Sequence, residues 1–316
     1  MSSGIIGVDL GGTQMRTALF DEQLNIIERV AEPTRAAEGK DRVIPRLLAA
    51  IDRVVPDHAE ALAGIGISVP GPINPHAGTV VRPPNLPGWH HVPIRKIIQE
   101  RFGCPTFLGN DANVAALAET MRGAAHGYRY VIYLTISTGI GSGIIDDGHL
   151  VVGAEGLGGE AGHMMMVVDD RVVDLEAVAS GTGIARQAIE RLTAGAPSRI
   201  RDLVEGDLRG VTAKIVGLAA QDGDQLALEL VERAGTMVGL GIVTLMHLFN
   251  PQIFVVGGGV TKIGDLLFTP MRRAVQQHVL DPTYGERVPI VRAALGDNVA
   301  LIGAAALVST CGGSTL

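Results

Sequence analysis

The feature that most constrains this chain is a pattern that occurs twice. An apolar run at Ile5–Asp9 ends in the turn Gly11–Gly12–Thr13, and further runs follow at Arg16–Phe20 and Ile26–Ala31. Three closely spaced runs joined by turn residues predict an antiparallel meander. Asp41–Val55 then places Val43, Leu47, Leu48, Ile51 and Val54 on one helical face, and Ile65–Val69 returns as a strand closed by Pro70–Gly71–Pro72. Ile94–Phe102 reads as a helix, Thr106–Leu108 as a strand, and Ala112–Arg122 as a helix opened by Asn110–Asp111. From Val131 the order recurs. Val131–Ile136 ends in Ser137-Thr138-Gly139-Ile140-Gly141, and strands Gly143–Ile145 and Leu150–Val152 are joined by Asp147–Gly148. A helical region follows from Asp174 to Phe249, broken by Gly181, Gly195–Pro197 and Gly223. Strand Ile253–Val256 ends in Gly257–Gly258–Gly259; helix Asp265–His278, strand Ile290–Ala294 and helix Asn298–Val308 complete the chain. Two βββαβ copies predict two α/β domains with their glycine turns face to face across a cleft, a preferred place for ligands.

Composition narrows the function. A chain of 316 residues fits two domains, and 47% apolar residues against 19% charged ones can build two cores. Glycine is 42 of 316, about 13% against a usual ~7%, without a Gly-X-Y period. It gathers at the ends of apolar runs, where the backbone turns tightly beside ligands. One Trp, four Tyr and six Phe leave few stacking platforms for single-stranded nucleic acid, and a net charge of −7 leaves no footprint for DNA or anionic lipid. Two cysteines, Cys104 and Cys311, exclude a disulfide framework and a multi-cysteine zinc site. The start MSSGIIGVDLGG has neither the basic segment nor the apolar stretch of a signal peptide, and Met237–Phe249 is too short to span a bilayer. A cytoplasmic protein with no nucleic-acid or membrane partner is expected.

The turns carry the chemistry. In Asp9-Leu10-Gly11-Gly12-Thr13, glycines admit phosphate oxygens to the backbone and Thr13 adds a hydroxyl donor; alone, the same turn serves a plain hairpin. Thr138-Gly139-Ile140-Gly141-Ser142-Gly143 has dinucleotide-fingerprint spacing, but that fingerprint must open a helix and a strand follows here, so a nicotinamide site is rejected. No Walker-type lysine loop exists. Three glycine turns in two repeated halves argue together for phosphate binding. Asp111 reads either as a helix N-cap or as a general base aimed at a hydroxyl. Glu160 and His163, three apart, suit a polyhydroxylated ligand as an acceptor and a switchable donor; a satisfied structural histidine reads equally well. Asn85 lies in the turn Asn85-Leu86-Pro87-Gly88 before the only Trp, Trp89, which either anchors a loop or flanks a site. His90 and His91 have no ligand-spaced partner and read as loop residues, and Glu176 serves a first helical turn or a ligand.

Eight of these segments in order resemble one family. DLGGT at Asp9–Thr13, PGP at Pro70–Pro72, NLPGW at Asn85–Trp89, GNDAN at Gly109–Asn113, TGIGSG at Thr138–Gly143, EAGH at Glu160–His163, LEAVASG at Leu175–Gly181 and GGG at Gly257–Gly259 are similar to the motifs of the ROK (repressor, open reading frame, kinase) sugar kinases, especially glucokinase-like members. The resemblance covers nearly the whole chain. It implies the actin-like, ribonuclease-H-like fold of the hexokinase superfamily, an α/β fold with a duplicated βββαβ core. The expected division is a small domain over residues 1–119 on the sugar and phosphate side, joined by the C-terminal helix 298–316, and a large nucleotide-side domain over 120–297.

By that resemblance the chain is an ATP- and Mg²⁺-dependent kinase acting on a hexose, most readily glucose at O6, and a homodimer. Asp111 is then the base. Asn85, Asn110, Asp111, Glu160, His163 and Glu176 take sugar hydroxyls. Gly11, Gly12, Thr13, Thr138, Gly139 and Gly141 cradle phosphates, Asp9 serves Mg²⁺ directly or through water, and Gly257, Gly258 and Gly259 lie beside adenosine. Domain closure then excludes water as a competing acceptor. Kinases of N-acetylmannosamine, fructose or mannose are the alternatives within the class; a sugar-responsive regulator or a non-catalytic sugar-binding protein stands outside it. With strand one at residue 5, no DNA-binding module of the kind such regulators carry is expected ahead of it. Two departures stand out. The family's Cys-x-Cys-Gly-x-x-Gly-Cys zinc loop corresponds to Met164–Asp174, which contains no cysteine, so no structural zinc is expected and Met164–Val168 should pack as a strand that fixes His163 instead. Gln14 stands where many relatives have Lys.

Overall fold

The computed structural model describes residues 4–56 and 62–316. Strands β1 (Gly4–Leu10), β2 (Gln14–Phe20) and β3 (Ile26–Pro33) form the expected meander, each antiparallel to the next. The first turn is tight because the Gly11 N–H donates to the Gln14 carbonyl at 3.0 Å. Its length sets a register in which Asp9 lies opposite Arg16. Helix α1 (Lys40–Asp52) buries Val43, Leu47 and Ile51, the stripe its spacing predicts. Strand β4 (Leu62–Val69) runs parallel to β1. A small hairpin of β5 (Ile73–Asn74) and β6 (Thr79–Val80) precedes α2 (Ile94–Phe102). Then β7 (Thr106–Asn110) joins β4 in parallel and α3 (Asp111–Arg122) follows directly.

The second copy repeats this plan with β8 (Val131–Ile136), β9 (Ile140–Asp146) and β10 (His149–Leu150). Next come the hairpin β11 (Met165–Val168) and β12 (Arg171–Asp174) and helices α4 (Leu175–Ala179), α5 (Gly181–Thr193), α6 (Ile200–Leu203), α7 (Ala213–Gln221) and α8 (Gln225–Phe249). Strand β13 (Ile253–Gly257), helices α9 (Asp265–His278) and α10 (Pro282–Arg287), strand β14 (Ile290–Arg292) and helix α11 (Val299–Ser309) end the chain. One sheet has the order β3-β2-β1-β4-β7 and the other β10-β9-β8-β13-β14. Each places its third, second, first, fourth and fifth strands side by side, so the duplication read from the sequence is a duplication of topology.

Packing divides the chain into two compact units. Met1–Val131, Gly143–Gly159 and Ala293–Leu316 form the first, Ile132–Ser142 and Glu160–Arg292 the second. In the first, α11 packs against β1, β4 and α3. It is apolar on all sides, as a helix covered by neighbours must be. The approach requires glycine on both surfaces: a Cβ at Gly66 would stand 1.7 Å from the Ala304 carbonyl oxygen, and one at Gly303 1.9 Å from that of Val114. Fully buried Glu119 of α3 accepts N–H groups from Ala124 at 2.7 Å, Ala294 at 2.9 Å and Leu295 at 3.0 Å, and so ties α3 to the segment that leads into α11. In the second unit, Asp224 caps α8 through the Ala227 N–H at 2.9 Å and also accepts from Ser198 Oγ and the Arg199 N–H. Among the described residues no helix is long and apolar enough to cross a membrane.

Three expectations are corrected. Strand β9 begins at Ile140 and not at Gly143, because the N–H groups of Ile140 and Ser137 are held at the turn, so Gly141 lies inside the strand. Strand β14 stops at Arg292, where the next backbone N–H groups go to Glu119. Met165–Val168 is a strand, yet it does not pack as a buried one: Met165 is 64% and Val167 76% exposed, because it pairs only with β12.

Candidate functional site

Strands β1, β4 and β7 are parallel, and their registers pair Asp9 with Ser68 and Val69 with Asn110. Asp9 and Asn110 therefore stand two strands apart at the same carboxyl end of the sheet, the usual ligand edge of a parallel α/β sheet. The Gly11–Thr13 turn leaves this edge after β1, and α3 leaves it after β7. Thr34 fixes the turn: its hydroxyl donates to the Gly11 carbonyl at 2.6 Å, and its N–H donates to that of Thr13 at 2.9 Å. Asn85 closes against the turn, since a Cβ on Gly12 would meet Asn85 Cβ and its carbonyl oxygen at 2.8 Å.

The helix cap falls on Asn110. Its side-chain oxygen accepts the Asn113 N–H at 2.7 Å, which frees Asp111 from the capping role. Asp111 Oδ1 accepts the Ala112 N–H at 2.9 Å. The residue reaches solvent, but its carboxyl group is densely surrounded by protein atoms. Desolvation pushes its pKa above the ordinary value, opposed by the backbone N–H groups and reinforced by the negative charge of Asp9. Arg16 holds Asp9: its Nε donates to Asp9 Oδ2 at 2.8 Å, its Nη2 donates to the same oxygen, and its Nη1 donates to the Asp297 carbonyl at 2.7 Å. Among the described residues nothing bonds Asp9 Oδ1. Magnesium is ordinarily held by one or two carboxylates plus substrate phosphates, and this hard-oxygen donor fits such an ion or its bound water.

In the second unit the turn after β8 spans Ser137–Gly139 only. Glu176, in the first turn of α4, accepts the Ile140 N–H at 2.7 Å and packs on Gly139, where a Cβ would lie 2.3 Å from Oε2. Asp174 caps α4 through the Ala177 N–H at 2.7 Å, and its other oxygen is 3.4 Å from His163 Nδ1. That contact, rather than packing of Met164–Val168, is what reaches His163 from the hairpin. Glu160 leads into the short turn Ala161–His163, whose backbone returns the His163 N–H to the Glu160 carbonyl at 3.1 Å. Among the described residues no three His, Cys, Asp or Glu side chains gather to hold a metal ion.

The α5 N-terminus is pinned to the same turn, with the Gly181 N–H on the Ser137 carbonyl at 2.7 Å and the Thr182 N–H on that of Thr138 at 3.2 Å. A cavity of about 390 Å³ opens here, lined among others by Thr138, Gly181, Thr182, Thr212, Gly259 and Val260. Of the three consecutive glycines only Gly259 lines it; Gly257 is buried at the end of β13, and Gly258, at φ +93°, carries the bend. Arg16, Thr34, Thr182 and Thr212 were not singled out from the sequence. Arg16 and Thr34 give no local signal, because strand pairing alone brings them to the Asp9–Thr13 segment. The small-residue run Ser180–Gly183 opening a helix was the available sign of Thr182.

Residues 5–311 match the ROK family. The chain belongs to that family. The glucokinase of Thermotoga maritima is 34% identical over 310 residues, covering 96% of each protein. A ROK hexokinase structure from Thermus thermophilus superposes with a TM-score of 0.78 at 34% identity, covering 96% of this chain and 97% of that one. A ROK family glucokinase from Streptomyces griseus, solved with glucose and AMPPNP, gives a TM-score of 0.78 at 30% identity, covering 96% and 99%. For this ROK chain, as for these relatives, the fold is that of the actin-like hexokinase superfamily.

Proposed function

We propose that this ROK protein transfers the γ-phosphoryl group of ATP to a hexose, most readily to O6 of glucose. The observation that carries the reading is Asp111: a carboxylate relieved of capping, raised in pKa, and set at the ligand edge of the sheet beside the Asp9–Thr13 turn. The similarity to glucokinases, one of them solved with glucose and an ATP analogue, supports the substrates.

Asp111 accepts the proton of the sugar hydroxyl as that oxygen bonds to phosphorus and the bond to the β-phosphate oxygen breaks, releasing ADP. Phosphoryl transfer has a loose transition state, so orientation matters more than the strength of the base. Asn85, Asn110, Glu160, His163 and Glu176 are assigned to sugar hydroxyls. Gly11, Gly12, Thr13, Thr138, Gly139 and Gly141 are assigned to the phosphates, and Gly257, Gly258 and Gly259 to the neighbourhood of adenosine, for which the cavity at Thr182 and Gly259 is a suitable recess. Asp9 would hold Mg²⁺ or its water. A bound Mg²⁺ supplies charge neutralisation at the phosphate oxygens. A homodimer and a cytoplasmic setting, where ATP is at hand, complete the reading.

The test is a panel of hexoses with ATP and Mg²⁺, reading ADP release as kcat/KM for each. Glucose should lead N-acetylmannosamine, fructose and mannose. If no hexose stimulates ADP release, the kinase reading falls.

A further inference from the structure

Thr34 stands just past the end of β3 and is fully buried. It continues the β2–β3 ladder, in which Gln14 lies opposite Pro33. Both of its donors go to the turn after β1: the hydroxyl to the Gly11 carbonyl at 2.6 Å and the N–H to the Thr13 carbonyl at 2.9 Å. Strand pairing supplies the second bond whatever the side chain. The first needs a hydroxyl. The other buried threonines direct theirs elsewhere, Thr120 and Thr310 to the carbonyl four residues back, Thr106 to Cys104 and Thr17 to Ala50 of α1.

The hydroxyl bond fixes more than a carbonyl. The Gly11–Gly12 peptide is trans, so its C=O and N–H point in opposite directions. With the Gly11 carbonyl held toward Thr34, the Gly12 N–H faces away from it. Among the described residues neither the Gly12 nor the Thr13 N–H has an acceptor. Successive free backbone N–H groups are donors that an anion's oxygens can accept from. Glycine does not select this orientation by itself, because it turns more freely than any other residue. Thr34 is held in its turn: Arg46 of α1 donates through Nη1 to the Thr34 carbonyl at 2.6 Å and pairs through Nη2 with Glu38.

We propose that Thr34 is a positioning residue for the phosphoryl donor. Its hydroxyl, by holding the Gly11 carbonyl, keeps the Gly12 N–H turned toward the phosphate oxygens of ATP, and Arg46 keeps Thr34 in place. The inference rests on the reading of Gly11–Thr13 as a phosphate turn and adds to it the side chain that sets the turn's peptide.

Thr34→Val keeps the shape and removes the hydroxyl, whereas Thr34→Ser keeps the hydroxyl. ATP with Mg²⁺ and glucose are titrated into full-length protein by calorimetry, each without the other, and Tm is recorded for every variant. Thr34→Val should weaken ATP about tenfold or more and leave the glucose Kd within about twofold, and Thr34→Ser should bind ATP within about threefold of wild type. Should Thr34→Val not fold, Arg46→Met, at a partly exposed side chain, loosens the same residue and should weaken ATP several-fold with glucose unchanged. The proposal is overturned if the folded variant binds ATP as the wild type does, if it loses glucose by the same factor, or if Thr34→Ser fails to restore ATP binding. A lower Tm with both affinities unchanged would mark the bond as structural and overturn it too. Wild-type protein that binds glucose but no ATP would instead overturn the reading of the phosphoryl donor, and this inference with it.

Discussion

Arg16 places two donors on a single oxygen of Asp9, Oδ2, and its third reaches the backbone carbonyl of Asp297. The charge of this paired carboxylate reaches Asp111, whose pKa it helps to raise. Arg16 thus orients Asp9 and balances its charge near Asp111.

Replacing Arg16 with Gln removes both effects. Hydrogen bonds to charged groups are worth about 1.5–3 kcal/mol, so kcat/KM should fall on the order of 10–100-fold. The acid limb of its pH profile should move to higher pH, because an uncompensated Asp9 charge raises Asp111 further. Arg16→Lys, which keeps the charge, should restore the limb. An unshifted limb in Arg16→Gln would leave Arg16 with a purely structural role.

Asp111→Asn should lower kcat by roughly 10²–10⁴ with glucose affinity largely kept. It should also change stability in a pH-dependent way. The folded-state pKa of Asp111 is raised, so its favourable contribution is present below the unfolded value of ~3.9 and is lost as pH rises through the folded value. The variant cannot titrate. Its Tm should match wild type in acid and exceed it at neutral pH. Wild-type kcat/KM should fall as pH drops through the raised pKa of Asp111. Equal Tm differences at all pH values would contradict this.

Glu160→Gln should weaken glucose binding by roughly 1–3 kcal/mol and leave ATP binding without sugar unchanged. Glu176 differs, because it also holds the Ile140 N–H beside Gly139. Glu176→Gln keeps an acceptor there and should resemble Glu160→Gln, whereas Glu176→Ala should weaken both ligands. Calorimetry of each ligand separately decides the matter.

Elemental analysis of protein prepared without chelator should find well under one zinc per chain. The segment that carries the zinc loop in family members is here the hairpin β11–β12, with no cysteine. EDTA should stop activity, added Mg²⁺ should restore it, and Tm should stay constant throughout. Stoichiometric zinc surviving dialysis would refute the expectation.

Glu119→Gln should destabilise the protein by about 1–3 kcal/mol, because one of its two acceptor oxygens becomes a donor facing backbone N–H groups. Glu119→Ala should cost more and expose the Ala293–Leu316 segment to protease. Thermal melts and limited proteolysis would show it.

Much of this was legible in the sequence because local patterns coincide with local forces. Helix α2 has the bounds its spacing gives, and the two meanders follow from turn residues between apolar runs. The local sequence leaves Asp111 open between a cap and a base, and the structure gives the cap to Asn110. Gly141 was misread as part of a turn: glycine marks both turns and strands that others approach closely, and only the Glu176–Ile140 hydrogen bond separates the two. Arg16 could not be found, because its meaning depends on a strand register rather than on a neighbour in sequence. The exposed face of β11 was hidden for a similar reason, since an apolar run does not announce that one face lacks a cover.

The packing of α11 on β1, β4 and α3 carries a consequence for synthesis. Strand β1 is covered by α11, which leaves the ribosome much later. The second unit ends at Arg292 and has all its residues in hand while the first still lacks the helix that fills its glycine-lined surface. During translation the sheet of the first unit must wait, with an apolar face open, until α11 emerges. A stop codon late in the message would therefore damage the beginning of the protein more than its middle, and nascent chains stalled just short of α11 should need a chaperone that grips the N-terminal half.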